Sequence, residues 1–458
     1  MNRRKFLGAA AAGTVSTAAT GAVASQPPNI VIIYTDDLGF GDLGCYGSRI
    51  PTPNFDGLAT DGIMFRHCVS GGAVCSPARA ALMTGRYGPR FGIPDVMFPT
   101  DTFGIPDSET TIAQMLKSTG YQTMCVGKWH LGSSPKYLPT NRGFDEFYGM
   151  PYSHDMTPSV LMHNTSVIEQ PVQINTLTQR YTAQAVNFIQ RAGGSSFFLY
   201  LAHNAPHLPL FASQGFQGKS DLGPYGDTIM ELDWSVGQVM QALKDNGVDQ
   251  NTLVIYSSDH GPWYNGNAGR LRGRKGETWE GGMRVPLIAR LPGAIPSGTV
   301  AHSLTTIMDV LPTLATVSGA RLPANRLDGV DIWPVMTGQQ RAVQRDLVLY
   351  FDSWNLQCAR MGRWKMHLAR YNTYAWSPAP PGGRINLPLS NPELYDVHAD
   401  PGESFDTADR NPQVIADMRA AVYRQLSTFP QQVTTAWNNT FLQKVQYTSS
   451  GSLPILQS

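Results

Sequence analysis

Cysteine is scarce. Five residues (Cys45, Cys68, Cys75, Cys125 and Cys358) in a chain of 458 are too few to staple a protein of this size, which excludes a disulfide scaffold. Setting Cys75 aside leaves four that can form pairs, and the sequence does not say whether they do. An excess of either charge is missing too: 35 Lys and Arg stand against 34 Asp and Glu, a formal net charge of +1. No long-range field therefore gathers nucleic acid or an acidic membrane surface, and any preference for an anion must be local. Past the N-terminus no stretch approaches the ~18 consecutive apolar residues of a membrane span, and there are no internal repeats. What is present, 42% hydrophobic and 15% charged residues, suits one large domain plus a smaller one.

The first residues, Met1-Asn2-Arg3-Arg4-Lys5-Phe6-Leu7, place two arginines ahead of a small-residue apolar run ending at Ala22-Val23-Ala24. This reads as a twin-arginine signal peptide over 1–24 with mature numbering from about Ser25, and so predicts a periplasmic or secreted protein. Such export carries folded proteins, which suits one loaded with a metal or a modified residue before crossing.

Beyond it, short Val/Ile/Phe/Tyr-rich runs alternate with helical patterns, which predicts an α/β fold with a large, mostly parallel sheet flanked by helices over 25–345. Four runs matter most: Ile30 to Tyr34, Tyr121 to Val126, Phe197 to Leu201 and Leu253 to Ser257. Ile229, Leu232, Val236, Met240 and Leu243 predict a long amphipathic helix stopped at Gly247, and Ser108 to Gly120 a shorter capped one. From 346 to 458 the texture changes. Leu347 to Phe351, Gln357 to Met361 and Trp364 to Leu368 predict a small antiparallel sheet, Ser377 to Arg384 a loop, and Pro412 to Leu426 a helix packed across that sheet.

In an open parallel sheet ligands collect beyond the carboxyl ends of the strands. The four runs end in Asp36-Asp37, Gly127-Lys128-Trp129-His130, His203-Asn204-Ala205-Pro206-His207 and Asp259-His260-Gly261, so every end carries titratable groups. Taken singly each is an ordinary capping or solvated residue. Together, carboxylates from two strand ends repel unless a cation sits among them, which points to a divalent site with oxygen ligands. Cys75-Ser76-Pro77-Ala78-Arg79 opens a run closed by Gly85, with Pro early and Gly after the end, so Cys75 sits at a helix N-terminus where unpaired N–H groups favour an anion or an anionic nucleophile. On these residues alone a buried structural thiol and thiol catalysis both remain open.

Cys75-Ser76-Pro77-Ala78-Arg79-Ala80-Ala81-Leu82-Met83-Thr84-Gly85-Arg86 resembles the sulfatase signature, in which the Cys of C-x-P-x-R is oxidised to formylglycine. Gly120-Tyr121-Gln122-Thr123-Met124-Cys125-Val126-Gly127-Lys128-Trp129-His130 is similar to that family's second signature. The resemblance runs from Pro28-Asn29 to Leu394-Tyr395-Asp396 and Glu403. It implies the type I, formylglycine-dependent sulfatases, arylsulfatase A-like, on the alkaline phosphatase superfamily fold. It also implies hydrolysis of aryl or carbohydrate sulfate monoesters through a formylglycine hydrate and a covalent hemisulfate, with maturation by a formylglycine-generating enzyme. By the same resemblance Asp36, Asp37, Asp259 and His260, together with residue 75, hold Ca2+ or Mg2+; Arg79 steadies the hydrate; Lys128, Ser153, His207 and Lys275 bind sulfate. His207 or Lys275 protonates the leaving alcohol, and His130 serves as base. Lys275 lies in Arg274 to Pro286, similar to the family's lysine-bearing loop, and Ser153 in Pro151-Tyr152-Ser153-His154-Asp155. The fourth metal ligand in arylsulfatase A is an asparagine, where this chain has His260, as some other family members do; imidazole is a poor match for a hard cation, so calcium is implied by resemblance more than by ligand chemistry.

Two other functions are compatible with parts of this pattern: a metal-dependent phosphatase or phosphonate monoester hydrolase, and a catalytically silent binder of sulfated glycans. A single carboxylate cluster favours the sulfate monoester, since a phosphate dianion calls for a second metal or more positive charge. Selectivity is expected in loops such as Leu210 to Tyr225 and Asn355 to Ile385, with Tyr371, Tyr374 and Trp376 as candidates for a sugar-stacking wall.

Overall fold

The run Asn29–Thr35 is apolar at consecutive positions and every residue of it is buried, which is what a strand covered on both faces requires. In the computed structural model, which describes residues 26–447, Ile30, Ile32 and Tyr34 point into one hydrophobic layer and Val31 and Ile33 into the other. The signal segment 1–24 and residues 448–458 lie outside the described residues.

Strands β1 (Asn29–Thr35), β2 (Ile63–Val69), β3 (Gln122–Lys128), β4 (Glu146–Met150), β5 (Leu161–His163) and β6 (Ser166–Glu169) are followed by β7 (Phe197–Ala202), β8 (Thr252–Ser258), β9 (Arg284–Arg290), β10 (Thr299–Ala301) and β11 (Thr305–Thr306). They form one sheet in the order β10-β2-β9-β8-β1-β7-β3-β4-β5-β6, with β11 pairing β2. Its centre, β8-β1-β7-β3-β4, is parallel throughout, so the carboxyl ends of β1, β3, β7 and β8 share one rim. Helices cover both faces. α1 (Pro53–Thr60), α4 (Leu177–Arg191) and α5 (Gly223–Asp245) pack on one side; α2 (Cys75–Thr84), α3 (Ile112–Lys117) and α7 (Val310–Ser318) pack on the other, and the one-turn helices α6 (Glu280–Met283) and α8 (Trp333–Met336) precede and follow α7 in sequence.

The second sheet is antiparallel, in the order β12 (Val348–Asp352), β13 (Asn355–Met361), β14 (Trp364–Tyr371), β15 (Asn386–Asp396). Helix α9 (Pro412–Leu426) lies across β13 and β14 as expected, and α10 (Gln431–Tyr447) packs on β15 and β13.

Four expectations need adjustment. The Ser108–Gly120 helix is shorter, because the Thr111 hydroxyl accepts the Gln114 N–H while the Gln114 side chain accepts that of Thr111, a capping box that fixes the start at Ile112. Strand β15 escapes sequence reading because Pro388 and Pro392 interrupt it; prolines are tolerated there since β15 is an edge. Much of the expected loop from Asn355 to Ile385 is strand, and only the part after Tyr371 is loop. Helix α10 is too polar to show a clear stripe; Val433 and Trp437 are its buried contacts. None of the five cysteines is paired in a disulfide.

Candidate active site

At the end of β1 the chain must turn sharply, and Asp37 does so at φ 65°, a left-handed conformation that Asp tolerates better than most residues. The Asp36 N–H bonds Ala205 O beyond β7 at 3.1 Å, and the Asp259 N–H bonds Thr35 O at 3.2 Å. The main chain thus ties three strand ends together before any side chain acts. Asp37 N–H and His260 N–H both donate to Asp259 Oδ1, at 3.1 and 3.0 Å, which aims the three carboxylates at one point.

Cys75 is the first residue of α2, whose far end is closed by Gly85 at φ 67°. Its Sγ lies 3.6 Å from Asp36 Oδ1 and 3.4 Å from His260 Nε2. Burial alone would raise this thiol, but the Lys128 and Lys275 ammonium groups hold it well below the usual cysteine value, and the nearby His130 and His207 imidazoles act in the same direction.

The carboxylates do not face one another bare. Lys128 Nζ donates to Asp36 Oδ2 at 2.6 Å and to Ser153 Oγ at 3.1 Å, and Lys275 Nζ donates to both oxygens of Asp37 at 2.8 and 3.0 Å. Arg79 Nη2 donates to Asp259 Oδ2 at 3.1 Å and lies 3.5 Å from Asp36 Oδ1, while its Nη1 donates to Lys128 O. Arg79 is one turn along α2 from Cys75, and its hydrogen bonds go to the carboxylates and to β3 rather than to residue 75. Despite burial, Lys128 and Arg79 hold the Asp36 carboxyl well below the carboxylate range. Burial pushes the Asp259 carboxyl up to about 7 despite His260 and Arg79. Against its own burial, Asp259 leads the groups that raise the His260 imidazole to about 9.

The side chains fit a hard divalent cation. Asp36, Asp259, His260 and Cys75 each offer a ligand atom, all within 4.8 Å of one another, and so do Asp37, Cys75 and His207. Carboxylates are three of these six residues and give the hard oxygen donors that calcium or magnesium prefers. Charge agrees with this: three carboxylates are offset by Lys128, Lys275 and Arg79, so a bound divalent ion would leave the pocket net positive and receptive to an anion.

Two histidines differ in their surroundings. His130, at φ 59° beyond β3, holds Met97 O through Nε2 at 2.8 Å and leaves Nδ1 without a hydrogen-bond partner. Since Nε2 faces an acceptor it carries the proton, and Nδ1 presents a lone pair. Burial and Lys128 push this imidazole down. His207 instead gives Nδ1–H to Leu208 O at 2.6 Å, with Nε2 3.9 Å from Asp37 Oδ2. Burial opposes its charge, but Asp37 pulls the imidazole up. The two imidazoles are thus shifted in opposite directions by their surroundings.

Asp37, Cys75, His130, Ser153, His207 and Lys275 line a cavity of about 270 Å³. Its remaining wall comes from residues that sequence reading did not select: Val96, Phe98, Asp155, Met156, Leu208 and Trp263, joined by Trp376. Only the Pro151–Asp155 segment carried a sequence signal for them. His203, by contrast, turns away and bonds Ser235 Oγ under α5.

The chain matches the Sulfatase family over residues 28–320 and the C-terminal region of aryl-sulfatase over 343–455. It belongs to the sulfatase family. Among relatives, arylsulfatase A of Bos taurus is 38% identical over 91% of this chain and 90% of its own, and N-acetylgalactosamine-6-sulfatase of Homo sapiens is 36% identical over 83% and 82%. Among solved structures, that of Ps i-CgsB in complex with k-i-k-neocarrahexaose superposes with a TM-score of 0.77 at 30% identity, over 92% of this sulfatase and 100% of that chain. PsFucS1 sulfatase from Pseudoalteromonas sp. gives 0.79 at 26%, over 91% and 92%. Phosphonate monoester hydrolase of Agrobacterium radiobacter, with a TM-score of 0.61 at 20% identity over 87% of this sulfatase and 95% of its own chain, shares the fold alone.

Proposed function

We propose that this sulfatase cleaves aryl or carbohydrate sulfate monoesters at residue 75, with Cys75 oxidised to formylglycine by a formylglycine-generating enzyme. The observation that carries the reading is the position of Cys75, at a helix N-terminus within 3.6 Å of Asp36 and beside two lysines and three histidines. Oxidised and hydrated, residue 75 would supply a hydroxyl nucleophile in place of the thiol. Asp36, Asp37, Asp259 and His260 would hold the calcium or magnesium ion, with residue 75 beside them; the ion's chemistry is Lewis-acid neutralisation of sulfate oxygens.

The chain's own groups divide the remaining work. Lys275 and Ser153 line the cavity and bind the sulfate oxygens, with the Lys128 ammonium behind Ser153 adding positive charge. Arg79 keeps Asp36 and Asp259 aligned. His207 carries a proton at Nε2 and delivers it to the departing ester oxygen, and His130 takes a proton from the nucleophile at its free Nδ1. The rim of Phe98, Leu208, Trp263 and Trp376 suits a flat ring, either aryl or sugar. The twin-arginine segment supports export to the periplasm, and among the described residues no helix is long and apolar enough to cross a membrane.

Mass spectrometry of the peptide containing Cys75, together with turnover of an aryl sulfate, tests this directly. An aldehyde oxygen in place of sulfur, and loss of all turnover in Cys75→Ala with thermal stability retained, are the expected results. A thiol at residue 75 in fully active enzyme refutes the proposed nucleophile. Faster release from an aryl phosphate or phosphonate than from the sulfate refutes the substrate class.

A further inference from the structure

A second cavity, about 320 Å³, adjoins the first across a thin wall. On one side of the wall Lys275 and Trp376 face the sulfate pocket; on the other, Gly276 and Ala375 face the new cavity. The wall is closely packed: a Cβ on Gly276 would lie 2.6 Å from Ala375 Cβ and 2.8 Å from Trp376 Nε1. Trp376 is itself held at φ 64°, a conformation that bulky residues seldom adopt, so the tertiary setting fixes the indole on the boundary between the two spaces.

The second cavity differs in character from the first. Its walls carry three guanidinium groups, each held over an aromatic ring: Arg272 Cζ lies 3.7 Å and Arg370 Cζ 4.4 Å from the centroid of Trp279, and Arg384 Cζ lies 3.7 Å from that of Tyr371. Arg370 is paired with Glu393 and Arg384 with Asp352. Arg272 has no carboxylate in ion-pair reach among the described residues; one of its donors goes to Glu403 O at 3.2 Å, and Glu277 acts on it only at longer range. A guanidinium already ordered by an indole, with donors to spare, is built for a planar or tetrahedral anion. Exposed Tyr374 adds a ring face, and Asn372 and Gln357, held by Gly383, Ile385, Thr278 and Asn386, add neutral polar walls.

Resting on the sulfate-ester reading of the first pocket, we infer that this cavity binds an acidic sugar unit joined to the sulfated one, its sulfate or carboxylate held by Arg272 and its ring placed against Tyr374. The enzyme thus reads two neighbouring units of a polyanionic glycan across the Gly276–Trp376 wall, while a simple aryl sulfate uses the first pocket alone.

The test uses the mature, metal-loaded enzyme and sulfated galactose, N-acetylgalactosamine and glucosamine, each offered free, joined to a neutral sugar, joined to a hexuronate and joined to a second sulfated sugar. For the sugar it accepts, the parent enzyme shows a kcat/KM about ten-fold or more higher with an acidic neighbour than with a neutral one, the size expected for one charge-assisted contact. Whether hexuronate or sulfated sugar gives the larger gain identifies the anion. Arg272→Ala removes that gain and leaves aryl sulfate turnover and melting temperature unchanged, and Tyr374→Ala, at a side chain 69% exposed, lowers turnover of the linked sugars only. Indifference of the parent enzyme to its neighbour's charge, or a parallel loss on aryl sulfate in both variants, overturns the inference. If formylglycine is present and no sulfate ester of any kind is cleaved, the reading of the first pocket fails and the second falls with it.

Discussion

Replacing Glu280 by alanine removes the carboxylate shared by three buried cations. One of its oxygens accepts from Arg284 Nε at 2.7 Å and Arg360 Nη1 at 2.9 Å. The other accepts from Tyr350 OH at 2.7 Å and lies 3.3 Å from Lys365 Nζ. After the substitution only Glu403 among the described residues, 3.0 Å from Lys365, remains to balance Arg284, Arg360 and Lys365. Uncompensated buried charge of this kind costs about 3–5 kcal/mol. At roughly 2–4 °C per kcal/mol for domains of a few hundred residues, the melting temperature should fall by about 6–20 °C. Glu280 sits just past the Lys275 loop, and its partners lie on β9, β12, β13 and β14, so the loss falls on the seam between the two sheets. Calorimetry of parent and variant measures it.

The dependence on pH gives a second check on the cause. Burial alone would raise the Glu280 carboxyl, but Arg360, Arg284 and Lys365 hold it well below its ordinary value of 4.5. A depressed carboxyl contributes stability that is complete above the unfolded value and lost as pH falls through the folded one. The gap between parent and variant should therefore stay constant from neutral pH down to about 4.5 and narrow only below that. A melting temperature within about 2 °C of the parent at pH 7 would refute the reasoning, as would a gap that closes already at pH 6.

Two further outcomes follow from the active site. His207→Ala should lower kcat by about 10²–10⁴ for esters of poorly acidic alcohols and much less for esters of acidic phenols, which need no proton to leave; equal losses on both would show that Nε2 is not the donor. Dialysis against a chelator should abolish aryl sulfate turnover and added Ca2+ should restore it, because three carboxylates already offset by Lys128, Lys275 and Arg79 need a divalent ion to attract sulfate; full activity after metal analysis shows none bound would remove the ion from the mechanism.

The local features of this protein were legible in its sequence because each depends on neighbouring residues only. The apolar run before Asp36-Asp37 made a strand with its acidic end on the rim, and Pro77 and Gly85 placed Cys75 at the start of a helix, since dihedral preferences act over a few residues. Tertiary structure decided what depends on distant segments. It set Lys128 on Asp36 and Lys275 on Asp37, partners 92 and 238 positions apart. It left Nδ1 of His130 free and Nδ1 of His207 engaged, although both residues follow a strand. It brought Trp376 from the second sheet to the mouth of the cavity, and it closed the Glu280 network between the sheets. Burial, and the fields of charges far away in sequence, belong to the assembled fold and leave no periodicity or spacing in the chain to read.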